Sequence, residues 1–557
     1  MKNINKTILL SVVSSSFLLG ATPNIGDIDR EVQPPKIEKE KPTLPTIETK
    51  EYKAPMSDSG KTIFVKSFSF SGNLHISSKE LQAIAKEYEN KDLTFKEISE
   101  FTTKITKLFR EKGYFVARAY LPVQDIGTND GVVEIAIIEG NYGEFQLTNS
   151  SLIKDSIVQG ILDDIKDKNI VSTNTLERAM LLISDTPGAI VTGADIMPGS
   201  VVGTSDFAIT TEASKAYDGY ILSDNQGSRY TGKNRVMAGI NFNSPLKIGD
   251  KLTLGGLVSN GADLKNGRVA YSVPLMPNGL SGEISYSKTT YSLVEEYKNL
   301  DAKGDSTTID ATFIYPIIRT SLENLYASLS VVQKDLKDEV QSTNDITKKD
   351  TKSFNLGLSY DKNYFVFGLN SNSQMKLNYT YGNLSFDDSA KELADTNGAN
   401  TNGNYSKINL ELGHTIALNQ ELSLESSLKM QYALGDKNLD GSEDFSIGGS
   451  NGVKVYPDGE LSAENGYLFN IEAKYKLPNI DALSSQVGVF YDRGKAFMAN
   501  NTVGFESNSL QDIGVGYYAN YKDFFGQLQV AWTANSDAVE SEPTSNSRIL
   551  FQGGWVF

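Results

Sequence analysis

Gln527-Leu-Gln-Val-Ala-Trp-Thr533 and Ile549-Leu-Phe-Gln-Gly-Gly-Trp-Val-Phe557 end the chain with two alternating runs. Leu528, Val530 and Trp532 share one face against Gln527, Gln529 and Thr533, and Ile549, Phe551, Trp555 and Phe557 share one face of the last run. Successive strand side chains point to opposite faces, so one side of this wall suits lipid and the other water. A soluble sandwich also alternates, but its outward face is charged.

Working back from that wall, about 16 strand-like segments fall between Tyr217 and Phe557, an even number, as in single-chain outer-membrane barrels. They lie near 217–224, 234–243, 251–259, 267–274, 282–291, 306–315, 321–334, 351–363, 374–386, 405–418, 421–432, 466–477, 485–497, 509–521, 525–534 and 547–557. Asn419-Gln420 and Lys522 to Phe524 read as tight turns. Asp335 to Asp350, Asp387 to Asn404 and Ala433 to Asn465 read as long loops. Short turns on one rim and long loops on the other fit a barrel inserted from the periplasm. The fold class is therefore an all-β transmembrane barrel over 213–557, of antiparallel strands, preceded by two α+β modules.

The modules repeat one order. Ile63, Val65 and Phe68 open a strand. A helix capped by Thr94 and Glu97 carries Phe95, Ile98, Phe101, Ile105, Leu108 and Phe109 at helical spacing, and two strands follow. A second strand, helix, helix, strand, strand set begins at Tyr142, its second helix opened by Asn174-Thr-Leu-Glu177. Module one is assigned to 61–140 and module two to 141–212. Ahead of them, Lys2, Lys6 and the apolar run Ile8 to Leu19 before Gly20-Ala21 read as a signal peptide over 1–21. Residues 22–60, with Pro34-Pro35, Pro42, Pro45 and Pro55, read as a periplasmic linker with at most a short helix near Asp27 to Val32.

Composition narrows the function. A net charge of −16 without a basic run argues against nucleic acid. With 0 Cys and 2 His, thiolate and imidazole metal sites have almost no ligands to draw on. No phosphate loop or other cofactor motif appears, and no cofactor is expected. A hydrolase would need a Ser and His pair, and His414 has only ordinary Ser neighbours in sequence, such as Ser406 and Ser423.

The Ala433 to Asn465 connection carries Leu439-Asp-Gly-Ser-Glu-Asp-Phe445, Gly448-Gly449 and Val453-Lys-Val-Tyr456. Strand alternation in the wall beside it turns Glu472 and Asp492 to the lumen on neighbouring strands. Lys454 paired to such an acid at 4 Å gains about 4 kcal/mol at an effective dielectric near 20, before desolvation. Spacing leaves two readings open: a loop held inside the barrel by Lys454, or an exposed Lys454 above two acids lining a wet pore.

Asn438 to Phe445, Gly448-Gly449, Val453 to Tyr456 and Gly466-Tyr467 together resemble the sixth external loop of two-partner secretion transporters, the hemolysin secretion/activation proteins of the Omp85 superfamily. Phe490-Tyr-Asp-Arg-Gly494 resembles the wall motif that this loop's tip contacts. Asp224-Asn-Gln-Gly227, Asn243-Ser-Pro-Leu246 and Tyr315-Pro-Ile-Ile-Arg319 are further matches, and the two modules resemble POTRA domains. The resemblance implies a loop latch of Lys454, Tyr456, Asp492, Gly494 and Glu472. It also implies a loop motif of Ser442, Glu443, Phe445, Gly448 and Gly449, and Phe557 as the C-terminal assembly signal. One departure is that the family tip reads Val-Arg-Gly-Tyr or -Phe, where this chain has Lys454 and Val455. Lys lacks the guanidinium fork and Val the backbone freedom of Gly, which predicts a contact weaker than the family's or differently placed.

The resemblance further implies a non-enzymatic transporter in the outer membrane, its N-terminal domains in the periplasm. Its partners would be a large secreted adhesin or hemolysin bound at the POTRA domains, outer-membrane lipid, and the barrel assembly machinery that inserts it. An insertase that assembles other barrels and a passive porin are the alternatives.

Overall fold

The Asn24 side chain accepts the N–H groups of Gly26 and Asp27 while Asp27 reaches back to the Asn24 N–H, a capping box that starts helix α1 (Ile25–Glu31). The computed structural model describes residues 23–32, 44–45, 60–125, 130–166, 170–435, 437–500, 508–534, 539 and 546–557, so the expected signal peptide over 1–21 lies outside the described residues. Within the expected periplasmic linker over 22–60, the reading of 23–32 needs correction: the short helix expected near Asp27 to Val32 begins at Ile25 and lies in the barrel, while 22, 33–43 and 46–59 lie outside the described residues. Ile25 and Ile28 are buried inside the barrel against Leu222, Met237, Tyr291 and Leu336. Two isoleucines one helical turn apart give α1 a face to bury, a signal that bulk Pro content hides.

The first module runs through β1 (Thr62–Val65), β2 (Ser67–Ser71), α2 (Ser78–Ala85), β3 (Lys91–Thr94), α3 (Phe95–Glu111), β4 (Arg118–Tyr120) and β5 (Val132–Ile138). The expected capping box of α3 forms, and Ile98, Phe101, Ile105 and Phe109 are buried with residues of the β2-β5-β4 sheet. Phe95 stays exposed, because at 3.6 residues per turn it falls at the margin of that stripe. The second module repeats the order with β6 (Asn141–Ser150), α4 (Asp155–Lys166), α5 (Thr173–Asp185), β7 (Ile190–Pro198) and β8 (Thr204–Glu212). Its second helix is capped by Ser172, boxed with Thr175, so Asn174 lies inside the first turn rather than at the cap.

The barrel opens with β9 (Tyr217–Asp224), β10 (Arg235–Asn243), β11 (Lys251–Ser259), β12 (Leu264–Pro274) and β13 (Ser281–Ser292). Four long strands follow: β14 (Ala302–Arg319), β15 (Glu323–Val340), β16 (Asp345–Val366) and β17 (Leu369–Phe386). Helix α6 (Ser389–Asn397) stands in the next loop, before β18 (Gly403–Ala417) and β19 (Leu422–Leu434). The loop after β19 contains the short pair β20 (Phe445–Ser446) and β21 (Ser462–Ala463). The wall is completed by β22 (Asn465–Lys476), β23 (Leu483–Phe497), β24 (Asn508–Tyr521), β25 (Phe524–Thr533) and β26 (Ser547–Val556).

Sixteen of these strands, β9 to β19 and β22 to β26, form one closed barrel, and all their pairings are antiparallel. β26 closes onto β9 from Gln552 opposite Asp224 to Val556 opposite Tyr220. Phe557 finishes the seam: its N–H and C=O bond the Gly219 backbone at 3.0 and 3.1 Å, and its ring lies 4.6 Å from that of Trp555. The expected loop over Asp335 to Asp350 is instead strand on both sides of a short turn at Gln341–Thr343. Apolar alternation ends there because the outward side chains leave lipid, while the backbone ladder continues above it.

Module two is fastened to the periplasmic rim. Arg319 pairs with Asp185 through Nε at 2.6 Å and Nη2 at 2.7 Å, and Arg178 donates to the carbonyls of Asn278 and Pro316 at 3.0 and 2.7 Å. The Ser321 N–H donates to Glu177 at 2.8 Å. The Tyr315-to-Arg319 motif is thus a socket for α5, opened by the register shift between Pro316 and Ile318.

Candidate functional site

The connection between β19 and β22 folds into the barrel. Ile447, Val453, Val455 and Tyr456 are buried in one apolar nest with Leu468, Phe490, Leu510 and Ala531 of the wall. Its glycines make the inward turn. Gly449 has φ +93°, and a Cβ on Gly448 would stand 2.2 Å from the Pro457 carbonyl. Phe445 lies over Gly466, where a Cβ would meet its ring at 2.6 Å. On the wall, Gly494 leaves the space that Ile447 fills, since a Cβ there would come within 2.8 Å of the Ile447 Cβ.

At the tip, Lys454 Nζ donates to Asp492 Oδ2 at 2.7 Å and lies 4.3 Å from the Phe490 ring centroid. The other Asp492 oxygen accepts Asn470 Nδ2, also at 2.7 Å. Asp512 stands directly opposite Asp492 and takes the Val455 N–H at 2.7 Å, and Arg548 Nη1 donates to the Tyr456 carbonyl at 2.8 Å. Both aspartates are 0% exposed. Taking Lys454 away would leave two buried carboxylates facing each other with one cation fewer, so the tip is held by the cost of that state as much as by attraction.

Glu472 does not join this group. The register sets it opposite Phe490 while Asn470 faces Asp492, and Glu472 instead accepts Tyr518 Oη at 2.5 Å with Lys474 Nζ at 3.6 Å. Its place in the latch is therefore corrected: Asn470 occupies the position beside Asp492.

A second contact lies at the loop's elbow. Lys349 Nζ is 2.6 Å from Asp440, and Glu443 takes Lys407 at 2.8 Å and Lys334 at 3.2 Å. Burial alone would push the Glu443 carboxyl up, but the two ammonium groups outweigh it and hold it down to about 2. Burial also works against ionised Asp440, and Lys349 likewise outweighs it and keeps that carboxyl below its ordinary value. Ser442 backs onto α1, where a Cβ on Gly26 would lie 2.6 Å from the Ser442 nitrogen. The elbow's wall residues Lys334, Lys349 and Lys407, and Asp512 at the tip, are not singled out by any sequence motif, although strand parity turns all four inward by the rule that places Asp492.

His414 has a Ser neighbour that its strand does not reveal: Ser373 Oγ lies 3.0 Å from its Nδ1 across the β17–β18 pair. Among the described residues no hydrogen bond or ion pair joins a carboxylate to that ring, and the Ser373 hydroxyl is bonded in turn by Tyr364 Oη at 2.8 Å.

Haemolysin secretion/activation protein ShlB/FhaC/HecB is the family whose model matches residues 203–516, more than half of the chain, and the POTRA domain, ShlB-type, matches 63–140. The chain belongs to this haemolysin secretion/activation family. It is similar to the heme/hemopexin transporter protein HuxB of Haemophilus influenzae, 27% identical over 530 residues and 92% of each chain. It is also similar to the outer membrane transporter CdiB of Dickeya dadantii, 19% identical over 76% of this chain and 75% of that one. Among solved structures, CdiB from Escherichia coli superposes with a TM-score of 0.75 at 17% identity, covering 90% of this chain and 93% of that one. CdiB from Acinetobacter baumannii gives 0.66 at 16% identity over 95% and 96%. These two show the shared fold. As a member of the ShlB/FhaC/HecB family, the protein is an outer-membrane transporter that moves a partner protein to the cell surface, with its N-terminal POTRA domains in the periplasm.

Proposed function

We propose that the arrangement described is the transporter's closed state, and that export requires the Lys454 tip to leave Asp492 and Asp512 while α1 leaves the lumen. The observation that carries this reading is the buried Lys454–Asp492 pair beside an Asp512 that accepts the Val455 N–H. These contacts hold the tip, while the elbow is held separately by Lys349 on Asp440 and by Lys334 and Lys407 on Glu443, so opening requires both to let go. The partner, an adhesin or hemolysin in type, would enter unfolded after adding a strand to an open POTRA edge, such as β7 of the β6-β8-β7 sheet. Its folding outside would supply direction, with no catalytic step in this chain and no cofactor. Ser442, Glu443, Phe445, Gly448 and Gly449 would set the loop's inward shape, and Phe557 would present the barrel to the assembly machinery in contact with outer-membrane lipid.

Export of the partner in Lys454→Ala and Asp492→Ala cells, with barrel insertion checked by heat-modified mobility, tests the latch. Reduced export from an inserted barrel is expected, and normal export from both variants would refute it. Paired proteomes of culture supernatant and outer membrane, with and without the gene, test the client. Loss of one large surface or secreted protein is expected, whereas a broad fall in other barrels would indicate an insertase.

A further inference from the structure

The motif Asn243-Ser-Pro-Leu246 opens the periplasmic turn between β10 and β11, beside the β6–α4 connection of module two, and the two segments enclose a cavity of about 570 Å³. The turn is firmly held. Ser244 and Lys247 both have left-handed backbone, at φ +57° and +61°, a conformation that a residue with a side chain keeps only where its surroundings impose it. Here the Ser244 N–H donates to the Asp250 carbonyl at 2.6 Å and the Lys247 N–H to the Ser244 carbonyl at 2.9 Å. From module two, the Lys154 N–H donates to the Lys247 carbonyl at 3.0 Å.

The cavity lies on the outside of the wall. Tyr217 and Phe242, directly opposite each other on β9 and β10, line it. They share the parity of Ile221 and Val236, which are exposed on the lipid face, and are the last outward side chains of their strands at the periplasmic end. Aromatic side chains at that depth mark the boundary between acyl chains and headgroups. The charged lining has one sign. Lys154 and Lys247 enter from the two domains, and among the described residues neither makes an ion pair and no Asp or Glu joins the lining. The acids on the same segments are engaged elsewhere. Asp155 accepts Asn149 Nδ2 at 2.8 Å, and Asp218 faces the lumen and accepts Asn241 and Asn243. Asp250 is 0% exposed and takes the Leu246 N–H and the Tyr271 hydroxyl.

We infer that this cavity is a site for an anionic glycerophospholipid of the periplasmic leaflet. Its phosphate would lie between Lys154 and Lys247, and an acyl chain would leave along Tyr217 and Phe242 into the bilayer. Lys is a point-charge phosphate ligand, and basic pockets at a membrane boundary bind anionic headgroups. An ethanolamine headgroup brings an ammonium that would find no carboxylate in this lining, which favours a headgroup without one, such as glycerol. The exported partner is the poorer fit, because its path leads into the lumen and this cavity lies outside the wall. Bound there, the lipid would join module two to β9 and β10 at a second point along the rim from the Arg319–Asp185 joint.

The test uses the full chain, purified in mild detergent and titrated with phosphatidylglycerol, with phosphatidylethanolamine as the second probe and soluble glycerol phosphate as competitor. Lys154→Gln/Lys247→Gln is compared with Lys476→Gln, a control at the periplasmic end of β22, and heat-modified mobility confirms that each variant is folded. The double variant is expected to bind phosphatidylglycerol roughly tenfold more weakly, with the control unchanged. The lipid should slow amide exchange across 151–157 and 243–249 in the native and control chains but not in the double variant. Equal phosphatidylglycerol binding by the folded double variant, phosphatidylethanolamine bound as tightly by the native chain, or displacement of the lipid by glycerol phosphate at matched concentration would overturn the inference.

Discussion

The Val455 N–H donates to Asp512 Oδ2 at 2.7 Å, and this bond shows how the loop tip works with Val in the place where the family has Gly. Val455 is not among the residues with positive φ, so its position asks for no left-handed backbone and its buried side chain joins the apolar nest. Val455→Pro removes the donor, and Asp512→Ala removes the acceptor and strands a buried N–H, at a cost of about 1–3 kcal/mol. Both should raise amide exchange across 447–456 by more than tenfold, whereas Asp512→Asn, which keeps an acceptor oxygen, should lie between them and the native chain. Unchanged exchange in Val455→Pro would remove this bond from the account of docking.

Arg319 grips Asp185 with two nitrogens, and although Arg319 is almost buried, Asp185 is 37% exposed. Solvent screening on that side lowers the pair's worth to about 1–2 kcal/mol, below the value of a fully buried pair. Asp185→Ala should therefore loosen α5 from the periplasmic turns without unfolding the module. Hydrogen exchange should rise in the 176–185 and 316–324 peptides while the α3 core stays protected. Arg319→Lys should recover little, because Lys cannot make both contacts. A full recovery would show that charge alone, and not the fork, holds the joint.

The barrel was readable because its signal repeats: lipid selects every second residue, so Val487, Val489 and Tyr491 on one face required Asp492 on the other. The same parity fixed Asp492 as lumenal and so brought Lys454 into question. What parity cannot supply is which lumenal groups meet across the pore. Glu472 and Asp492 share a face, yet pairing register separated them and set Asn470 beside Asp492. Lys334, Lys349 and Lys407 lie on three strands remote in sequence from Asp440 and Glu443, and only closure of the barrel makes them partners. Helix α1 was obscured for a different reason: seven residues with two isoleucines make a weak periodic signal beside a Pro-rich tract.

The elbow should respond to acid. Glu443 has an ordinary value of 4.5 and is held at about 2 when docked between Lys334 and Lys407. A depressed docked value favours docking at pH above the free value, and that contribution is lost as pH falls through the docked value. Loop protection, corrected for the intrinsic pH dependence of amide exchange, should therefore be flat from neutral pH to about 5 and should fall progressively as pH falls from 4.5 toward 2. Glu443→Gln should dock more weakly at neutral pH and lose that part of the acid response. A native acid profile in Glu443→Gln would assign the response to another group.

Gly26 joins the helix to the loop. A Cβ there would stand 2.6 Å from the Ser442 nitrogen and 2.8 Å from its Cα, both backbone atoms that cannot rotate away. Gly441 is less crowded, with the added carbon 3.2 Å from Asn24 Nδ2 and 3.3 Å from Asp27 Oδ1, side-chain atoms able to shift. The three substitutions Gly441→Ala, Gly26→Ala and Gly26→Val thus form a graded wedge between α1 and the elbow. Overpacking of this kind costs about 1–3 kcal/mol, comparable to what the Ile25 and Ile28 side chains gain by burial. Conductance in planar bilayers should rise along the series, least for Gly441→Ala and most for Gly26→Val, because a displaced helix leaves the lumen open. Deleting residues 23–32 should give the upper limit, with the wall still closed at the β26–β9 seam. If Gly26→Val conducts like the native chain while the deletion conducts freely, the helix plugs the pore without leaning on the loop, and the two must be released by separate events.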